Sequence, residues 1–308
     1  MNSGYSARIG IDLGGTKIAG IALGASDVVL AETRKLTPQG DYKATITTIA
    51  GIVATLSQQA AGPYSIGIGI PGSQSPVDRR IQNANSTWLN GQRFQDDLER
   101  ALDQPVRLAN DANCFALSEA TDGNAADGKT VFGVILGTGC GGGIVVDGRI
   151  VDGPRGIGGE WGHNPLPSPQ PSEIPGPPCW CGRNGCMETW VSGPAVAADH
   201  ARENGDGTPQ LTAEEIAALA ETGPAAAQAT ITRLADRLAR GLAAVTNILD
   251  PDVIVLGGGL SSIAALYETV PELMRPHIFA DHTDIDIRPP KWGPASGVRG
   301  AARLWPAG

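Results

Sequence analysis

Apolar residues along this chain follow two patterns. Short continuous apolar runs end in glycine, and longer stretches repeat an apolar residue every three or four positions. The first pattern predicts buried strands over residues 8–13, 18–23, 65–70, 105–108, 131–136, 144–146 and 252–256. The second predicts a helix over 41–60, where Ile46, Ile49, Ile52, Val53 and Leu56 share one face. It predicts another over 225–249, where Ile231, Leu234, Leu238, Leu242, Val245 and Leu249 form a core-facing stripe. Helices are also expected over 93–102, from Asn113 through Ala120, from Glu188, over 212–219, from Ser261 and over 296–305. Thr212 and Glu215 are spaced as a capping box.

An apolar strand followed by a Gly-rich turn occurs four times, at 9–15, 66–72, 131–143 and 253–259. At two of these the turn leads into a second strand. Asp12, Gly14, Gly15, Thr16 and Lys17 make one such hairpin, and Gly137, Thr138 and Gly139 open the other. A P-loop or a dinucleotide fingerprint would open a helix instead, so neither is present. Glycine hairpins still let backbone N–H groups approach phosphate, and two of them could clasp a polyphosphate from both sides. Asp12 is a candidate Mg²⁺ ligand, direct or through water. Gly257, Gly258 and Gly259 form a strand-to-helix turn that leaves room for a flat ring such as adenine.

Composition narrows the class. The chain of 308 residues allows two lobes, and its formal charge of -9 argues against a broad basic face for nucleic acid. No apolar run is long enough for a membrane helix, and MNSGYSARIGIDL does not read as a signal peptide. Five cysteines, an odd number and mostly clustered, fit a reduced cytoplasm. Cys114 and Cys140 read as core residues, and His200, His277 and His282 as surface residues without partners.

The cluster lies in GEWGHNPLPSPQPSEIPGPPCWCGRNGCMETW. His163, Cys179, Cys181 and Cys186 are the donor set of a closed tetrahedral Zn²⁺ site, bracketed by Glu160 and Glu188. Asp111, in LANDANC, stands where a strand gives way to a helix. It reads either as an N-cap or as a general base at the C-terminal end of a strand, where open α/β sheets bind ligands. Asn83, Asn85 and Asn90 in NANSTWLNG read first as turn formers.

These motifs together resemble a known family. IGIDLGGTKIAGIAL is similar to the first phosphate motif of the sugar kinase, heat-shock ATPase and actin superfamily. GVILGTGCGGGIV is similar to the second, and VIVLGGGLS to the adenosine motif. GEWGHN with CWCGRNGCMETW resembles the zinc signature of the ROK (repressor, open reading frame, kinase) sugar kinases, and the resemblance runs from about residue 8 to the C-terminus. NANSTWLNG, LANDANC, GEWGHNPLP and SGVRGAARLW look most like the family's bacterial fructokinases. The loop of fifteen residues between His163 and Cys179 is longer than in its compact glucokinases.

The resemblance implies an α/β, two-lobed, actin-like (ribonuclease H-like) fold with a structural zinc loop. A small lobe of residues 1–117 would be joined by a C-terminal helix at 296–308, and a large lobe would cover 118–295. It implies ATP-dependent phosphorylation of a hexose, fructose first, with glucose, mannose or an N-acetylhexosamine as the alternative. Asp111 would be the base. Gly72, Asn85, Asn110, Glu160, His163 and Glu188 would contact the sugar, and Asp12, Gly14, Gly15, Thr16, Lys17, Gly137, Thr138, Gly139 and Gly257–Gly259 the nucleotide and Mg²⁺. A homodimer is the assembly it implies. A sugar-responsive regulator would need a DNA-binding segment ahead of the first phosphate motif, and none is visible. A motile ATPase would need neither the zinc signature nor the NDAN element.

Overall fold

The apolar run at residues 8–13 forms β1 (Ala7–Leu13), and the GGTK turn returns the chain into β2 (Lys17–Leu23), paired antiparallel to it. β3 (Val29–Leu36) follows antiparallel to β2. It lacks an apolar signature because it is the sheet's edge and most of its residues are exposed. α1 (Tyr42–Ser57) begins at Asp41, whose carboxylate accepts the Ala44 N–H, and buries Ile49, Ile52, Val53 and Leu56. The chain continues through β4 (Tyr64–Ile70), the short hairpin β5 (Ser73–Gln74) and β6 (Ile81–Gln82), α2 (Phe94–Leu102), β7 (Val106–Asn110) and α3 (Asp111–Thr121). The resulting sheet has the order β3-β2-β1-β4-β7, with β1, β4 and β7 parallel.

A second sheet repeats this plan. It uses β8 (Thr130–Leu136), β9 (Cys140–Val146) and β10 (Arg149–Ile150). Four helices then intervene: α4 (Glu188–Val191), α5 (Gly193–Asn204), α6 (Ala213–Thr222) and α7 (Ala225–Leu249). β11 (Val253–Gly257), α8 (Ala265–Met274), β12 (Ile287–Arg288) and α9 (Ser296–Ala302) close the chain. The order is β10-β9-β8-β11-β12, with β11 parallel to both β8 and β12. Each sheet thus runs third, second, first, fourth, fifth strand. The four apolar runs with Gly-rich turns are the first and fourth strands of the two sheets.

This computed structural model describes residues 5–205 and 210–305, so residues 1–4 and 306–308 of the expected small lobe and 206–209 of the large one lie outside the described residues. The chain divides into two compact units, one of residues 1–123, 143–158 and 294–308, the other of 124–142 and 159–293. In the first, α9 lies so close to the sheet that a Cβ at Gly10 would sit 2.1 Å from the Val298 carbonyl oxygen. Ser296 Oγ donates to Glu119 Oε1 of α3 at 2.7 Å. No helix among the described residues is long and apolar enough to cross a membrane.

Several expectations change. The glycine turn after β8 is shorter than residues 137–143, because β9 already begins at Cys140. The helix expected from Ser261 starts at Ala265. Ser261 and Ser262 hydroxyls donate to the Gly258 and Gly259 carbonyls, at 2.7 and 2.8 Å, and hold that turn in a 3₁₀ form. His200 is not a surface residue. It is 5% exposed, and its Nδ1 lies 2.8 Å from Thr230 Oγ1, because α5 packs on α7 there.

The α7 stripe holds from Ile231 to Leu242 and becomes half-buried at Val245 and Leu249. The same helix also buries Arg237 and Arg240, which periodicity alone does not suggest. Arg240 Nη1 and Arg237 Nε donate to Glu173 at 2.9 and 2.8 Å, and Arg237 Nη1 donates to Asp199 at 2.7 Å. Glu173 belongs to the proline-rich loop between His163 and Cys179, so α7 anchors that loop through buried charge.

Candidate functional site

In the first unit the candidate residues gather at the C-terminal ends of the parallel strands. Asp12 of β1 is in register with Gly69 of β4, and Asn110 of β7 with Ile70. That edge is where open α/β sheets bind ligands. Asn110, not Asp111, is the N-cap of α3: its side-chain oxygen accepts the Ala112 N–H at 2.9 Å. Its Nδ2 donates to the Gly72 carbonyl at 3.1 Å. Asp111 is therefore the first helical residue, and its Oδ1 accepts the same Ala112 N–H at 2.8 Å.

Gly72 has φ +75°, and a Cβ there would lie 2.4 Å from the Gln82 carbonyl oxygen and 2.7 Å from Ala84 N. Glycine lets the 81–84 turn seat against it. Asn85 follows that turn and is exposed. Asn90, through Oδ1 and Nδ2 bonds of 2.9 Å to Ala84, closes the loop as a turn former.

Burial pushes Asp12 up to about 7, and the Asp111 carboxylate adds to the push. The same two carboxylates, after burial, hold the Cys114 thiol well above its usual range. Two half-buried acids beside a buried thiol form a place that favours a cation over a second negative charge. Beside them the Gly14–Lys17 turn is exposed from Gly15 onward. It is braced from the chain after β3: Thr37 Oγ1 donates to the Gly14 carbonyl at 2.7 Å and Gln39 Nε2 to that of Gly15 at 2.8 Å.

In the second unit Glu188 links two of the expected groups. Its Oε2 accepts the Cys140 N–H at 2.9 Å, and a Cβ at Gly139 would come within 2.7 Å of the same oxygen. The Gly137–Gly139 turn and the cysteine loop thus meet at one carboxylate. On the other side of that turn is a cavity of about 560 Å³, lined by Gly137, Thr138, Gly193, Pro194, Thr212 and Glu214 among others. Its size suits a drug-sized or nucleoside-sized ligand. A Cβ at Gly259 would lie 3.0 Å from Glu214 Oε1, which brings the Gly257–Gly259 turn to the cavity's neighbourhood. Sequence reasoning missed the α5 and α6 contributions. The signal was there in Ser192-Gly193-Pro194, an N-cap followed by proline at the start of a helix.

His163, Cys179, Cys181 and Cys186 place one donor atom each within 4.8 Å of all the others. His163 Nδ1 is 3.5 Å from Cys179 Sγ, and Cys181 Sγ is 3.6 Å from Cys186 Sγ. A tetrahedral zinc with bonds of about 2.3 Å to sulfur and about 2.05 Å to nitrogen sets those edges near ~3.6 and ~3.8 Å. The donor chemistry and the spacing therefore fit zinc. An Arg183 hydrogen bond holds the Cys181 thiol down to about 6, toward the thiolate form a metal needs, while burial pushes the Cys179 thiol up and the Cys186 thiol up to about 12. All five cysteines are free.

Glu160 stands just before the 3₁₀ turn that carries His163. Burial raises its carboxyl, His163 opposes that, and Glu188 adds to it. Trp180, between two of the cysteines and absent from the sequence expectations, donates its indole N–H to Glu188 Oε1 at 2.7 Å and meets the His163 ring edge-to-face at 4.9 Å.

With this geometry in place, comparison with known proteins gives one answer. The ROK family model matches residues 8–307. An N-acetyl-D-glucosamine kinase of Yersinia enterocolitica is 38% identical over 302 residues, 96% of this chain and 98% of that protein. The crystal structure of a ROK hexokinase from Thermus thermophilus superposes with TM-score 0.83 at 30% identity, covering 96% of each chain. That of a ROK family glucokinase from Streptomyces griseus, in complex with glucose and AMPPNP, gives TM-score 0.79 at 27% identity, over 98% of this chain and 100% of that one. The chain belongs to the ROK family, and its two-lobed, actin-like α/β fold is that of the family's sugar kinases.

Proposed function

We propose that this chain transfers the γ-phosphoryl group of ATP to a hexose, with N-acetyl-D-glucosamine as the preferred acceptor. The observation that carries the reading is the 38% identity to an N-acetyl-D-glucosamine kinase over nearly the whole of both chains. Fructose, which the NANSTWLNG, LANDANC and SGVRGAARLW motifs favour, becomes the second candidate, because the name of that relative carries the amino sugar.

Phosphoryl transfer asks the protein to position the acceptor, neutralise phosphate charge and accept a proton. Asp111, the first residue of α3 just past β7, accepts the proton of the attacking hydroxyl. The Gly14–Lys17 and Gly137–Gly139 turns hold phosphate oxygens with backbone N–H groups, and the Gly257–Gly259 turn borders the adenosine. Magnesium bound with ATP supplies neutralising charge. Asp12 would hold it, since burial leaves that carboxylate poorly served by water.

Gly72, Asn85, Asn110, Glu160, His163 and Glu188 bind sugar hydroxyls. Zinc, when bound, supplies a rigid structural centre for the cysteine loop. His163 turns Nδ1 toward Cys179, so its Nε2 is the nitrogen that meets the sugar.

The test is a sugar panel with ATP and magnesium, comparing kcat/KM for N-acetylglucosamine, N-acetylmannosamine, glucose, mannose and fructose. N-acetylglucosamine is expected to lead. A clear lead for fructose restores the fructokinase reading, and no turnover with any hexose overturns the kinase reading.

A further inference from the structure

We infer that Trp180 is a positioning residue: its indole N–H fixes the Glu188 carboxylate and so carries the rigidity of the cysteine–histidine cluster to the sugar-binding carboxylate. This rests on the reading of Glu188 as a hexose ligand.

Trp180 has no core to fill. It is 60% exposed, whereas Trp161 and Trp190 are 5% and 4% exposed. With little burial to hold this ring, the contact its edge makes is what fixes its place. The edge donates to Glu188 Oε1 at 2.7 Å, a short bond to a carboxylate. The other oxygen, Oε2, accepts the Cys140 N–H at 2.9 Å. Glu188 is therefore gripped at both oxygens, by the backbone at the start of β9 on one side and by one side chain on the other. Its rotamer is fixed only while both grips hold.

The cluster holds the Trp180 end of that grip. Both sequence neighbours of Trp180, Cys179 and Cys181, are candidate metal ligands, so its backbone is pinned on either side. The third candidate ligand it touches is His163, whose ring meets the indole edge-to-face at 4.9 Å. A loop fixed at 179, 181 and 163 leaves the indole little freedom to swing away from Glu188. A ligand carboxylate loose by even a fraction of an ångström loses hydrogen-bond geometry to a sugar hydroxyl.

The variant Trp180→Phe keeps an aromatic ring, smaller than the indole, and removes the donor. It is expected to weaken N-acetylglucosamine binding, read by calorimetry and as KM, by about tenfold. The KM for ATP and the zinc content by metal analysis are expected to stay at wild-type values. In a double-mutant cycle with Glu188→Ala, which removes the acceptor, Trp180→Phe is expected to add nothing further, because its effect passes through that carboxylate. Unchanged hexose affinity in Trp180→Phe, full additivity with Glu188→Ala, or loss of zinc along with affinity would each overturn the inference. A wild-type protein that binds none of the hexoses overturns the functional reading and this inference with it. A wild type that binds, beside an indifferent Trp180→Phe, overturns this inference alone.

Discussion

Glu173 and Asp199 in one unit, Asp12 and Asp111 in the other, are all acids drawn back from water, and their surroundings treat them in opposite ways. Burial alone would raise the Glu173 carboxyl, but hydrogen bonds from Arg240 and Arg237 outweigh it and hold it down to about 2. Asp199 meets Arg237, Arg233 and Arg202. Asp12, by contrast, is pushed up to about 7 by burial and by another acid. A matched buried carboxylate is complete as it stands and serves the fold. A carboxylate crowded against a second one is costly until a cation arrives, and such a site belongs to chemistry.

The largest effect that can break this contrast is at Asp111. Asp111→Asn keeps shape and the bond to the Ala112 N–H but cannot accept a proton. Turnover in a coupled ATP-consumption assay is expected to fall by up to about 10⁴-fold, roughly 5 kcal/mol, with the melting temperature little changed. Retained turnover would remove the acid pair from the chemistry and leave the two regions alike.

Next comes the matched side. Glu173→Gln leaves Arg237 and Arg240, 5% and 3% exposed, without their shared carboxylate. Removing one partner of a buried ion pair typically costs about 3–5 kcal/mol, and urea denaturation should read a loss of that size. A loss below about 1 kcal/mol would mean that water reaches the network and that its burial is only nominal.

The contrast also marks what the sequence could tell. The four apolar runs ending in glycine were legible as a repeat, and they prove to be the first and fourth strands of two sheets of like order. That His163, Cys179, Cys181 and Cys186 come together was legible because the spacing of such a donor set is local. Pairing across distance was not. Glu173 is separated from Arg240 by 67 positions, and nothing in PSPQPSEIPG distinguishes a buried acid from a solvated one. Trp180 was hidden in the same way, since its partner is fixed by the fold and not by the CWC motif. β3 was missed because an edge strand has no buried face to leave an apolar pattern. Asp111 was seen as a junction residue, but only the backbone gives the capping role to Asn110.

A smaller effect sharpens the unmatched side through pH. Folded Asp12 keeps its proton up to about 7, while in the unfolded chain it loses it near 3.8. The folded state therefore binds more protons between those values, so the stability this residue contributes is present below about 4 and declines as pH rises through 7. Three units at 1.36 kcal/mol each set an upper bound of about 4 kcal/mol, and partial exposure brings the expected figure to about 2. Asp12→Asn should flatten this decline in the ligand-free protein, so that urea denaturation at pH 8 finds it the more stable of the two. If Asp12→Asn and wild type lose stability in parallel from pH 5 to 8, Asp12 is not the strained acid.

The smallest effect compares arginines on a single carboxylate. Asp199, with 4% of its side chain exposed, bonds both Arg202 and Arg237, whose side chains are 46% and 6% exposed. If matching works only where water is excluded, the two arginines are unequal despite sharing a partner. Water already solvates much of the Arg202 head, so its pairing gains little over hydration and costs side-chain freedom. Arg202→Ala is then expected to change unfolding free energy by under about 0.5 kcal/mol, while Arg237→Ala costs several. Arg237 also carries a second bond, to Glu173, and stacks 4.5 Å over the Trp190 ring, so its removal takes packing as well as charge. A substitution to methionine at 237 separates the two, because it restores most of the packed volume without the charge. Should Arg202→Ala cost as much as Arg237→Met, the carboxylate would be held by total charge around it, and burial would not be what divides the two acidic regions.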